Sequence, residues 1–238
     1  MLLSNQRKGR YDISIKINGK KLDQCASYKY LGIVFDDKLD WKAHVSYLCQ
    51  KIAKACGVLA KLRHSVSIEL MREIYHALCY SYFKYGIIAW GNAAETILNP
   101  IKKLNHRLAR IMTFAPFGPI DLRPIMNYLN ILDVDDIFLL ETSKFIYKKQ
   151  NDIIQVNIGN YFEILDHNVS NRYYMRSGTD FVERINYRTC YGEKSLQFRA
   201  QPLWNDLPED IINSETLRIF NKRLKIYLLN SQSAMISL

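Results

Sequence analysis

The helical spacing of apolar residues after position 41 constrains the fold more than any other feature of the sequence. Between Trp41 and Arg63 the apolar residues recur every three or four positions, while lysines fall on another face. Ser67 suits the N-cap of a second helix, and a third is predicted to begin after Pro100. Further helices are predicted over 122–132, 135–149 and 215–229. The pattern predicts a mainly α-helical protein.

The second helix follows Ser67, and Glu69 and Glu73 lie in its first turns. The positions that we expect to carry it are Leu70, Ile74, Ala77, Leu78 and Ser81.

The first forty residues carry strand signals instead. Isoleucines alternate with polar residues over 11–22 and a turn is expected at Asn18-Gly19, which is typical of a β-hairpin. Residues 28–35 are rich in aromatic and β-branched side chains and predict one further strand, which ends at the acidic turn Asp36-Asp37. So few strands cannot close a core alone, so more sheet or a helix must pack across them. We expect a mainly α fold with a small N-terminal antiparallel sheet.

The prolines and glycine at Pro116, Gly118 and Pro119 interrupt the helical pattern and mark a boundary. The sequence therefore divides into a strand segment, 1–40, a basic helical domain, 41–115, and a helical and mixed C-terminal domain, 116–238. Loops and a small hairpin are expected over 150–200.

The positive charge of the chain is concentrated in its middle. Residues 41–112 carry 11 basic and 3 acidic side chains, whereas residues 113–238 carry 14 and 15. Tyrosines accompany the cations; this suits nucleic acid, because cations contact phosphates and aromatic rings stack on bases. A solvated basic face explains the charge equally well. The candidate nucleic-acid-binding residues are Lys51, Lys54, Lys61, Arg63, Lys102, Lys103, Arg107 and Arg110.

Several other classes of protein are excluded by the sequence. Five cysteines without a CxxC pair argue against a disulfide framework, and no apolar run reaches the roughly 20 residues of a membrane span. We therefore expect a soluble protein of the nucleus or cytoplasm.

Cys49, Cys56 and His64 lack zinc-site spacing, and no nucleophile or phosphate-loop motif occurs. No metal site and no cofactor is predicted.

The sequence Phe35-Asp36-Asp37 invites comparison with the metal-binding aspartates of RNA-copying polymerases. Those enzymes place one residue between the aromatic residue and the Asp-Asp pair, whereas here the two are adjacent. The only earlier carboxylates are Asp12 and Asp23, in unsuitable contexts. The favoured interpretation is a turn leading into a helix capped near Asp40, and no catalytic residue is predicted.

Residues 28–41, followed by a basic helix, resemble the late palm and thumb of reverse transcriptases from LINE-like, jockey-type non-LTR retrotransposons. The resemblance covers nearly the whole chain. Its further landmarks are Tyr85-Gly86, Trp90-Gly91, Arg107, Arg110, Tyr191-Gly192, Phe198, the segment 203–208, Phe220 and Leu224.

The resemblance implies roles for particular residues. Tyr30, Leu31 and Gly32 would be a primer-grip-like hairpin, where a glycine lets a nucleic-acid backbone approach closely. Segment 1–40 would be a palm remnant and 41–115 a thumb that holds the RNA and DNA of a template–primer duplex. Apart from the resemblance, Trp204 is expected to be structural because Pro202 and Pro208 flank it in a rigid segment, and Trp90 is expected to be structural as well.

The chain departs from that family in lacking the palm aspartates that hold its Mg²⁺ ions. It therefore looks like the C-terminal remnant of a polymerase, from a decayed element or a gene model begun at an internal methionine. We expect nucleic-acid binding without polymerisation, with the missing polymerase portion as a further partner. The alternative is a non-enzymatic helical interaction module derived from a transposon.

Overall fold

The computed structural model describes residues 14–116, 118–154, 173–174, 180–181, 192 and 195–234. Within them, the mainly α fold with a small N-terminal antiparallel sheet is confirmed. The strands pair antiparallel as β1 (Lys16–Ile17) with β2 (Lys20–Lys21), β3 (Ser27–Tyr30) with β4 (Ile33–Asp36), and β5 (Tyr173–Tyr174) with β6 (Asp180–Phe181).

The helices are α1 (Lys42–Leu62), α2 (Ile68–Tyr75), α3 (Ser81–Lys84), α4 (Ile87–Trp90), α5 (Glu95–Thr113), α6 (Arg123–Leu129), α7 (Val134–Gln150), α8 (Leu196–Asn205), α9 (Glu209–Ile212) and α10 (Leu217–Ala234). A π-helical turn, His76–Tyr80, joins α2 to α3. None of the helices in the described ranges combines the length and the hydrophobicity that a membrane span requires.

The chain divides into two compact units. Unit 1 contains the described residues up to Gly86 together with Ala93–Ala115, and unit 2 contains Ile87–Asn92 and the described residues from Pro116 onward. The division into 1–40, 41–115 and 116–238 stays a prediction.

Two tight turns shape the N-terminal strands. In the described part of the predicted 11–22 hairpin, Asn18 and Gly19 have φ of 49° and 77° and connect β1 to β2. The single strand predicted over residues 28–35 is wrong, because Leu31 and Gly32 have φ of 46° and 81° and reverse the chain between β3 and β4. Positive φ at both central residues is the geometry of a two-residue hairpin turn.

The core of unit 1 lies between α1 and α5. Ile52 and Leu59 of α1 and Ile101 and Leu108 of α5 are fully buried, as their helical spacing predicts. Helix α5 begins at Glu95, not after Pro100, so the predicted start is wrong. The earlier turn buries Leu98, which offsets the hydrogen bond that Pro100 cannot donate.

The second helix of unit 1 turns a different face inward from the one predicted. Leu70 and Leu78 are 43% and 41% exposed. The π-helical turn winds fewer degrees per residue than an α-helix, and this keeps residues four apart on one face. The buried residues of this face are Met71, Tyr75, Cys79 and Phe83.

Unit 2 is built around α7. The predicted helices over 122–132, 135–149 and 215–229 are confirmed as α6, α7 and α10. The rings of Tyr147 and Trp204 stack on Phe220 with centroid distances of 4.5 Å and 5.9 Å. The Tyr147 hydroxyl donates to the Ser214 carbonyl over 2.5 Å, so one buried aromatic cluster ties α7, α8 and α10 together.

Much of the segment 150–200 lies outside the described residues, as do Tyr191 and residues 1–13. Its described part contains the hairpin of β5 with β6 and the start of α8.

Candidate nucleic-acid interface

The tip of the β3–β4 hairpin is supported by a tyrosine that follows α3. Tyr85 Oη donates to the Leu31 carbonyl over 2.5 Å. A Cβ on Gly32 would lie 3.2 Å from the Tyr85 ring. The turn geometry and this ring explain the glycine without any nucleic acid. Tyr30 and Leu31 themselves are 59% and 70% exposed, so the tip presents an open surface.

The Asp36-Asp37 turn shapes the start of α1. Asp36 accepts the backbone N–H groups of Asp40 and Trp41 on its two carboxylate oxygens, each over 2.9 Å. Burial raises the pKa of Asp36 above its ordinary value. The Asp40 carboxylate accepts the Lys42 N–H over 2.9 Å, but the N-cap of α1 is the next residue, Trp41, which makes no side-chain capping hydrogen bond.

Both Asp36 oxygens hold the backbone turn before α1, so this carboxylate has a structural role there. Within the described ranges, no group of three or more His, Cys, Asp or Glu side chains is placed to hold a metal.

A row of rings connects the hairpin to α1. The distance between ring centroids is 5.6 Å from Phe35 to Trp41 and 6.5 Å from Trp41 to His44. The His44 ring stacks on that of Tyr47 with a centroid distance of 6.4 Å. The Val34 N–H donates to His44 Nδ1 over 3.3 Å. Burial, with a smaller contribution from the charge of Lys29, lowers the pKa of His44 to about 4. The imidazole is therefore neutral at pH 7 and serves as a packed support for Tyr47.

Two lysines from different elements converge on Tyr47. Lys29 Nζ lies 3.0 Å from the Tyr47 hydroxyl and 4.4 Å from the ring centroid, while Lys51 Nζ lies 5.6 Å from the same centroid. Among the described residues neither lysine forms an ion pair. Lys29 was not among the predicted site residues.

Two sequence signals point to this cluster. Strand alternation places Lys29 on the face opposite Tyr28 and Tyr30, and Tyr47 and Lys51 are four apart on one helix.

The predicted basic residues of α1 and its C-cap differ in their surroundings. Lys54 and Lys61 are exposed, and residues 41–68 contain no Asp or Glu. Lys51 is half-buried against Tyr47. The guanidinium of Arg63 lies 4.4 Å from the Phe114 centroid, and its Nε donates to His64 Nε2 over 3.2 Å. Arg63 is thus engaged within unit 1.

The predicted basic residues of α5 divide in the same way. Lys103 and Arg107 are exposed, Arg110 is half-buried, and their spacing of four and three places all three on one face. The Lys102 side chain is only 12% exposed and pairs with Glu95 over 2.8 Å. Its charge is compensated by the first turn of its own helix.

The two predicted structural tryptophans are both buried in unit 2. Trp90 is fully buried at the end of α4, and Trp204 on α8 is 2% exposed.

Comparison with curated proteins relates the chain to polymerases of mobile elements. It is 30% identical over 107 residues to the RNA-directed DNA polymerase from mobile element jockey of Drosophila melanogaster, covering 43% of this chain and 12% of that protein. The Drosophila funebris protein of that name is 32% identical with the same coverage. The predicted resemblance to LINE-like, jockey-type non-LTR reverse transcriptases is confirmed, but over about half of the chain in these matches and not over nearly all of it.

A further relative of these reverse transcriptases matches a longer stretch. The probable RNA-directed DNA polymerase from transposon BS of Drosophila melanogaster is 29% identical over 134 residues, 55% of this chain and 15% of that protein. The matches therefore span less than a sixth of each of these three relatives. No family model matches the chain. No solved structure matches it either.

Proposed function

We propose that the chain binds an RNA–DNA template–primer duplex through the β3–β4 tip and the basic faces of α1 and α5. The observation that carries this proposal is the set of exposed, uncompensated cations on a relative of RNA-directed DNA polymerases. Among the described residues, Lys54, Lys61, Lys103 and Arg107 form no ion pair.

The chemistry of these cations suits phosphates more than bases. Lysine and arginine on helix surfaces neutralise backbone charge and release counterions, which gives affinity without reading sequence. The exposed Tyr30 ring at the hairpin tip adds a surface on which an unpaired base can stack.

A titration with charge-reversed variants tests the proposal. The α1 variant is Lys54→Glu with Lys61→Glu, and the α5 variant is Lys103→Glu with Arg107→Glu. A matched control is Arg218→Glu with Lys222→Glu, which reverses two exposed charges four apart on α10. Each test variant should bind an RNA–DNA hybrid at least tenfold more weakly at ~100 mM salt.

Each test variant should also flatten the log–log salt slope by about two units, since each lost contact contributes roughly one. The α10 control should bind like the unchanged chain. Affinity and slope equal to the unchanged chain in both test variants would refute the proposal.

The proposed function does not include polymerisation by this chain. Support comes from the structural role of the Asp36 carboxylate, whose two oxygens accept the backbone N–H groups of Asp40 and Trp41. A primed RNA template with Mg²⁺ should gain no nucleotides. Template-dependent extension that Asp36→Asn abolishes would overturn this part of the proposal.

A second candidate function is a non-enzymatic helical interaction module. The observation in its favour is the second apolar face of α2 and the π-helical turn, where Leu70 and Leu78 are exposed. An apolar interface of this kind responds little to ionic strength. A partner complex that survives 1 M salt, together with no affinity for the hybrid, would favour this function.

A further inference from the structure

The Lys29–Tyr47–Lys51 cluster has the composition and support of an anion site. We infer that it binds one backbone phosphate of the nucleic acid, and this inference rests on the proposed function. The three residues come from β3 and α1, so the site exists only when the hairpin packs on the helix.

The hydrogen-bond donors of the cluster point to an oxyanion. Lys29 Nζ donates to Tyr47 Oη, so the hydroxyl hydrogen is directed elsewhere and can donate in turn. Each ammonium group keeps further N–H donors. A phosphate oxygen beside the hydroxyl would accept from the tyrosine and from both lysines.

The charges of the cluster point the same way. Two ammonium groups lie against one ring, and no described carboxylate pairs with either of them. Their mutual repulsion is relieved by an anion, which makes binding there more favourable than at an isolated lysine. The neutral His44 beneath Tyr47 adds no third charge and holds the ring in place.

The position of the cluster favours a phosphate in the nucleic-acid backbone. Tyr28 and Tyr30 lie on the opposite face of β3 and are exposed, so a strand passing the hairpin tip could stack a base on one side and place its phosphate on the other. The cluster would then fix the register of the strand at the tip.

Three single substitutions test the inference by two independent readouts, affinity for an RNA–DNA hybrid and the slope of that affinity with salt. Lys29→Gln and Lys51→Gln each remove a charge and should weaken binding about tenfold while flattening the slope by about one unit. Tyr47→Phe removes a hydroxyl and no charge. It should weaken binding severalfold and leave the slope unchanged.

Lys42→Gln is the matched control, because Lys42 is an exposed lysine on the same helix outside the cluster. It should reduce affinity less than Lys29→Gln. Melting temperatures of all four variants should stay close to that of the unchanged chain, which separates lost binding from lost folding.

Varying the ends of the hybrid shows whether the cluster binds a phosphate within the backbone or a terminal 5′-phosphate. Hybrids with 5′-hydroxyl and 5′-phosphate ends should respond equally to Tyr47→Phe. A response confined to 5′-phosphate ends would overturn the backbone assignment.

Two outcomes separate this inference from the proposed function. If the α1 and α5 charge reversals weaken binding but Tyr47→Phe has no effect and Lys29→Gln matches Lys42→Gln, the inference alone is wrong. If the unchanged chain does not bind the hybrid, the proposed function and the inference are both wrong.

Discussion

In unit 2 the stacked rings of Tyr147, Trp204 and Phe220 lie in the interior, whereas the tyrosines of the β3–β4 hairpin in unit 1 lie at the surface. Trp204 and Tyr147 stack on Phe220 and are almost completely buried. Tyr28 and Tyr30 of the hairpin are more than half exposed. Residues of one chemical class therefore stabilise one region and are available for contact in the other.

Charge follows the same division. Helix α1 in unit 1 carries lysines and no acidic residue, and α7 in unit 2 begins with acidic residues and ends with Lys148 and Lys149. The α7 arrangement complements the helix dipole and so has a structural explanation. In α1 only Lys61 lies in the last turn, where a cation suits the dipole. Lys51 and Lys54 lie nearer the middle of the helix, and this excess of positive charge is why unit 1 carries the proposed function.

The largest expected effect of a substitution is at Trp204. Trp204→Ala removes a buried ring that stacks on Phe220 and should lower the free energy of unfolding by about 3–5 kcal/mol. The matched change in unit 1, Tyr30→Ala, should cost less than about 0.5 kcal/mol because the ring is exposed. Urea denaturation of the full chain measures both, and equal losses would break the comparison.

The pH dependence of stability should have opposite sign in the two units. Burial lowers the pKa of His44 from 6.5 to about 4, so on acidification the unfolded chain takes up a proton at this residue before the folded chain does. Lowering the pH from about 6.5 to 4 therefore destabilises unit 1. The pKa of Asp136 is raised from 3.8 to about 7 by burial and by Asp133 and Asp135. Between about pH 4 and 7 the Asp136 carboxyl is protonated in the folded chain and ionised in the unfolded chain. Unit 2 therefore loses stability as the pH rises through this range.

Two substitutions separate these contributions. Asp136→Asn should remove the fall in the free energy of unfolding as pH rises from about 4 to 7. His44→Gln should remove the increase in the free energy of unfolding as pH rises from about 4 to 6.5. Each contribution amounts to at most about 1.4 kcal/mol per pH unit. Urea denaturation at several pH values gives the slopes. Unchanged slopes in both variants would contradict the assignments.

A smaller difference is expected between two tyrosine hydroxyls. Tyr147→Phe leaves the buried Ser214 carbonyl without its donor and should cost about 1–2 kcal/mol. Tyr85→Phe removes an exposed bond to the Leu31 carbonyl, which water can replace, and should cost less than about 0.5 kcal/mol. Thermal melts compare the two variants, and a larger loss for Tyr85→Phe would show that the hairpin tip is essential to unit 1.

Regular periodicity made some elements predictable from sequence. Helix α1 was predicted within one residue at each end, because its apolar residues keep a single helical phase. The second helix has apolar residues on two faces, and only the π-helical turn, which local sequence does not reveal, selects the buried one. The Leu31-Gly32 turn was hidden inside a run of strand-forming residues.

The candidate site was predictable to a lesser degree. Charge pattern identified the α1 and α5 surfaces, but it cannot show that Lys102 pairs with Glu95, seven positions away. Nor can it bring Lys29 to Tyr47, since that contact depends on how the hairpin packs on α1. Composition locates a basic region, whereas tertiary contacts decide which of its charges are free.

A change of sign is expected between two glycines. Gly57 lies in α1 with open space where a Cβ would be, so Gly57→Ala should stabilise the chain by about 0.5–1 kcal/mol through helix propensity. A Cβ on Gly91 of unit 2 would lie 2.7 Å from the Ile87 carbonyl oxygen and 2.6 Å from the Phe138 ring, so Gly91→Ala should destabilise. Denaturation midpoints of both variants test this. Stabilisation by both would mean that the interior beside α4 is no more tightly packed than the open surface of α1.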